Sequence, residues 1–73
     1  MNWKDINKEL PIDYTKCFRM EACEVLVVCG GDVQFDEFKC GHLPEPWWEF
    51  ESSHKGMVTH WIKKDDIKLP SLT

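Results

Sequence analysis

No run of this chain approaches the ~20 consecutive apolar residues that a membrane-spanning helix needs. The longest, Val25 to Cys29, has the length of a strand. Met1 leads into Asn2-Trp3-Lys4-Asp5 and not into a basic stretch followed by an apolar one, so no secretory leader is expected. No Cys-x2-Cys knuckle occurs among the four cysteines, which leaves only a weak zinc signal. There is no internal repeat and no low-complexity tract. Positive charge is scarce: nine Lys and Arg stand against thirteen Asp and Glu, for a net charge of −4 and a pI near 5.2. That balance disfavours nucleic-acid binding, because aromatic platforms for bases work alongside a basic groove. Together these absences point to a cytoplasm, where the cysteines are expected as reduced thiols that pack as small hydrophobes.

What is present is aromatic bulk in a short chain. Residues 1–73 make one small domain. A chain of this size buries only about 60% of the surface it exposes when unfolded, so its core must be built from large side chains. Four Trp, four Phe and one Tyr supply them. Each ring, fully buried, removes roughly 150–250 Å² from water. The composition is that of a folding chain, not a disordered one.

Apolar groups at Trp3, Ile6 and Leu10 fit a helical turn that ends before Pro11. Ile12 to Glu21 shows no period and reads as a connecting loop with one helical turn. Cys23 to Cys29 is the strongest strand, apolar on both faces and so suited to an internal position. Cys23 and Cys29 fall on the same face of it. Gly30-Gly31-Asp32 supplies a hairpin turn, and Val33 to Cys40 the return strand. Val33 and Phe35 share one parity and Phe38 and Cys40 the other, so a β-bulge is expected at Asp36-Glu37. Gly41 to Pro46 is a rigid loop. Trp47 to Glu51 is a short strand with Trp48 and Phe50 on one face and Trp47 on the other. Val58-Thr59-His60-Trp61-Ile62 is the last strand, rich in β-branched and aromatic residues. Ile67 and Leu69 are expected to close an open end, and Ser71 to Thr73 to fray. The expected fold class is α+β and mostly β: a small antiparallel meander of about four curled strands with a short N-terminal helical turn.

Trp3 followed by Leu10-Pro11, then Val25-Leu26-Val27, then Trp47-Trp48, then Val58-Thr59-His60-Trp61 and a late Leu69-Pro70, resembles a family of small phage- and prophage-borne domains, the domain of unknown function numbered 551. The resemblance runs from Trp3 to Pro70, and its most specific piece is Val58 to Trp61. The chain departs from the family pattern in a longer Asp13–Glu21 insertion and in Lys63-Lys64-Asp65-Asp66. The family brings no activity, cofactor or catalytic residue. It implies a context: accessory genes of phages or integrated elements, acting in a bacterial cytoplasm.

Charge and aromatics suggest where a partner would sit. Between Asp32 and Glu51 there are six acids, among them Asp36, Glu37, Glu49 and Glu51, and a single base, Lys39. An acidic face steers a protein toward a basic partner. Trp47, opposite in phase to Trp48, is the tryptophan to find at a surface, where such a ring acts as an anchor. The expected binding residues are therefore Trp47, Glu49, Asp36, Glu37 and Glu51. The expected function is a non-enzymatic protein–protein interaction module with no cofactor, binding a host or phage protein as a monomer or homodimer. No motif pairs His60 with a nucleophile, so no catalytic residue is expected and His60 reads as a hydrogen-bonded structural histidine. The alternative is a small metal- or ligand-binding module using Cys40 and His42, with His54 or His60 as further ligands.

Overall fold

The double-glycine turn forms and frames the molecule, whose computed structural model describes residues 2–67. Strand β2 (Glu21–Cys29) and strand β3 (Asp32–Gly41) pair antiparallel without interruption from Cys29↔Asp32 to Glu21↔Cys40. Gly30 and Gly31 sit at φ +60° and +87°. Positive φ at both central residues is what a two-residue turn needs to match the right-handed twist of its strands.

The unbroken β2–β3 ladder places no bulge at Asp36-Glu37, contrary to expectation. The parity of β3 never changes. Asp36, Phe38 and Cys40 are buried on the inner face, while Val33 and Phe35 lie exposed on the outer one. A carboxylate thus occupies an inner position and a phenyl ring an outer one, for reasons that lie in the loop after the next strand. The bulge occurs elsewhere, between β2 and the last strand, where the register shifts between Val28 and Cys29. There Val58 faces Cys29 and Trp61 faces Val27, so one extra residue lets two side chains three positions apart enter the same core.

Strand β4 (Trp47–Phe50) pairs with β3, and β5 (Val58–Lys63) returns to the far edge of β2. Strand β1 (Lys4–Asp5) adds to β5, giving the order β1-β5-β2-β3-β4 with every pairing antiparallel. Four strands in the order β5-β2-β3-β4 make a Greek key and not the expected meander. The reason is visible in β2. A strand apolar on both faces is best covered at the centre of a sheet, and the hairpin with β3 leaves its other edge free for β5. The sheet curls into a half-barrel. Its five strands exceed the four expected, and the described residues contain no α-helix, only three 3-10 turns (Tyr14–Lys16, Lys55–Met57 and Lys64–Asp66). The α component of the expected class is therefore missing from them.

Val25, Val27, Phe38, Phe50, Val58 and Trp61 fill the concave face. Phe38 stacks on Trp48 at 5.7 Å and meets Phe50 edge-on at 5.6 Å. The N-terminal segment closes over them through Ile6, Leu10, Ile12 and Tyr14. Its turn is local: the N–H groups of Lys8 and Glu9 both donate to the Asp5 carbonyl, and that of Asn7 to the Asp5 carboxylate. The Trp61 indole N–H donates to the Glu9 carbonyl at 2.9 Å and ties this turn to β5. Ile67 is half-buried; Leu69 and residues 71–73 lie outside the described residues.

Candidate functional site

The β3–β4 register puts Trp47 opposite Gly41 and Glu49 opposite Lys39, all on the outer face of the sheet. Glu51 continues that ladder, its N–H donating to the Glu37 carbonyl at 2.9 Å. Four of the five predicted residues, Trp47, Glu49, Glu37 and Glu51, therefore share one surface. Lys39 sits among them, paired with Glu51 and with Glu37 at 3.9 Å. The hydrogen bond it donates to Glu51 and the charge of the surrounding carboxylates hold its ammonium above the usual lysine range. Glu24 faces Glu37 directly across the β2–β3 ladder, a like-charge pair that costs stability on its own. Lys64 reaches Glu24 at 2.8 Å and offsets it. Among the described residues Glu45 and Glu49 make no ion pair.

Asp36 is the fifth predicted residue, and the structure removes it from this surface. Its side chain points inward and is 8% exposed. Oδ1 accepts from the N–H of Glu37 at 2.7 Å and of Ser52 at 2.9 Å, and Oδ2 accepts from the N–H of Ser53 at 2.7 Å. A buried carboxylate needs such donors to offset its lost hydration. Asp36 pins the loop after β4 to β3 and has no face to offer a partner.

Trp47 is half-buried, its ring lying over Gly41 and its indole N–H donating to the Leu43 carbonyl at 3.0 Å. Beside it lie Phe18, 90% exposed, Leu43, 72% exposed, and Met20, around a shallow groove of about 380 Å³ that Arg19 and His42 also border. Sequence reasoning missed Phe18 and Met20 by passing over Ile12 to Glu21 as a connecting loop. The available signal was the alternation Phe18-Arg19-Met20 leading straight into the strongest strand. The other tryptophans are occupied: Trp48 and Trp61 face the core and Trp3 is half-buried.

Gly41 is the floor of this site. A Cβ there would lie 2.8 Å from the Trp47 ring, closer than atoms can pack. Gly41→Ala is expected to lift the indole off the sheet and break its bond to Leu43, at a cost of about 1–3 kcal/mol. The Trp47 indole N–H resonance in a ¹⁵N spectrum should move strongly, while those of Trp48 and Trp61 stay in place.

Cys40 and His42 do not converge. The Cys40 thiol is turned inward, with its Sγ 3.0 Å from Cys17 Sγ. His54 Nδ1 accepts from the Gly56 N–H at 3.2 Å, and His60 is exposed, its Nδ1 3.0 Å from Thr59 Oγ1. Among the described residues no three His, Cys, Asp or Glu side chains are grouped to hold a metal ion. Nor is any helix among them long and apolar enough to cross a membrane. Comparison with protein-family models, with curated proteins and with solved structures finds no match to this chain.

Proposed function

We propose that this protein is a non-enzymatic interaction module, of the small accessory kind carried by phage and prophage genomes. Trp47 anchors a partner protein through the outer face of β3 and β4. One observation carries the reading: Trp47 lies between exposed apolar side chains (Phe18, Met20, Leu43) and carboxylates (Glu49, Glu51) on the same side of the sheet. An apolar patch rimmed by charge is the usual form of a docking surface, and a large ring at its centre the usual energetic anchor. The complementary partner presents an aliphatic or aromatic side chain flanked by Lys or Arg, and the acidic rim hastens its encounter at low salt.

A displayed-peptide selection with the full chain as bait tests this. The enriched sequences should pair an apolar anchor with basic neighbours. Trp47→Ala should weaken their binding by ~2 kcal/mol or more, about 30-fold. Glu49→Lys should slow association and flatten its salt dependence. Failure to enrich any such sequence, or binding that neither substitution alters, would refute the reading.

A further inference from the structure

Two of the four cysteines, far apart in sequence, end in contact in the core. Cys17 follows the 3-10 turn Tyr14–Lys16 and is 5% exposed; Cys40 lies on the inner face of β3 and is fully buried. Their sulphur atoms are 3.0 Å apart. Closing to a bonded length of ~2.05 Å asks for a displacement of only about 1 Å. The other two thiols, Cys23 and Cys29, are half-buried on β2 at positions facing Phe38 and Asp32 across the β2–β3 ladder.

From this we infer that Cys17 and Cys40 are a modification site: a dithiol that oxidises to an intramolecular disulfide on exposure to a small-molecule disulfide such as oxidised glutathione. One cysteine thiolate attacks a glutathione sulphur, forming a mixed disulfide and expelling one glutathione thiolate. The second cysteine, losing its proton to water, attacks the mixed disulfide and expels the other. The two protein thiols are oxidised and one glutathione disulfide is reduced to two glutathione thiols.

The location gives the bond a consequence. Cys17 adjoins Phe18, and Cys40 adjoins Gly41, on which Trp47 rests. The bond would fasten the loop bearing Phe18 and Met20 to the strand beneath Trp47, fixing both halves of the apolar patch. The chemistry itself holds whether or not that patch binds anything. It is also expected to be slow. The hydrogen bond to Cys40, then burial, push the Cys17 thiol up to about 12, so little thiolate is present near neutral pH.

The test uses the full chain, reduced, freed of reductant and then incubated with oxidised glutathione. Trypsin cuts after Lys16, Arg19, Lys39 and Lys55. The expected product is the peptide Cys17–Arg19 linked to the peptide Cys40–Lys55, with Cys23 and Cys29 still open to alkylation. The oxidised chain should melt about 10 °C or more above the reduced one, since a loop of this length restricts the unfolded chain strongly. Cys17→Ala should abolish both the linked peptide and the rise, and Cys23→Ser should leave both intact. Cys17 recovered unlinked, or joined to Cys23, Cys29 or a second chain, would overturn the assignment, as would a mapped bond that lowers the melting temperature.

Discussion

Phe38→Ala is expected to lower the melting temperature by about 15–30 °C, the largest effect of any single truncation in this protein. Phe38 is fully buried and makes ring contacts with both Trp48 and Phe50. Deleting such a ring typically costs about 3–5 kcal/mol, part from lost transfer energy and part from the cavity left behind. A chain of 73 residues has roughly 4–11 kcal/mol in total. The variant should therefore be close to half unfolded, or beyond it, at modest urea concentrations. Phe35 provides the internal control. It lies three residues earlier on the same strand and is 68% exposed, so Phe35→Ala should change stability by less than about 0.5 kcal/mol. Equal effects of the two substitutions in urea titrations would contradict the inward–outward assignment of β3.

Asp36→Ala should cost about 2–4 kcal/mol, because three backbone N–H groups lose a charged acceptor and that of Ser53 is left buried. Asp36→Asn, which keeps an acceptor oxygen, should cost less. The pH dependence separates this role from simple packing. Burial pushes the Asp36 carboxyl up, but the Ser53 side chain and the backbone N–H groups of Ser52, Glu37 and Ser53 outweigh it, leaving it below its ordinary value of 3.8. A group depressed on folding contributes stability that is fully present above its unfolded value and is lost as pH falls through the folded one. The stability gap between wild type and Asp36→Asn should thus be constant above about pH 5 and shrink below about pH 4. A gap that stays unchanged down to pH 2 would show that the carboxylate charge does not hold the loop.

Those two residues also mark where local reading stops. The alternation on β3 was legible, but its phase was not. Apolar Val33 and Phe35 argued for one face, Phe38 and Cys40 for the other, and a bulge was the local way to satisfy both. The chain instead satisfies one and leaves Phe35 in water, because Asp36 is needed inside by the backbone of Ser52 and Ser53, some sixteen residues away. No window of sequence contains that requirement. The same holds for the candidate site. Trp47 and Glu49 could be placed on a common outer face from their spacing alone, whereas the approach of Phe18 and Met20 depends on how the loop before β2 folds against the end of β3.

By itself the sequence determined that this chain is mostly β and antiparallel, with its turn at Gly30-Gly31, its strongest strand at Cys23 to Cys29, and Trp48 and Phe50 directed opposite to Trp47, although it also suggested a helical component that the described residues lack. These follow from backbone stereochemistry and two-residue periodicity, which act over a few neighbours. Only the tertiary structure decided that β5 joins β2 and not β4, that the bulge falls at Val28–Cys29, and that Cys17 meets Cys40. Each of those depends on which free edge and which unmet polar group remain once the first hairpin has closed. That is a property of the assembled sheet and of no segment within it.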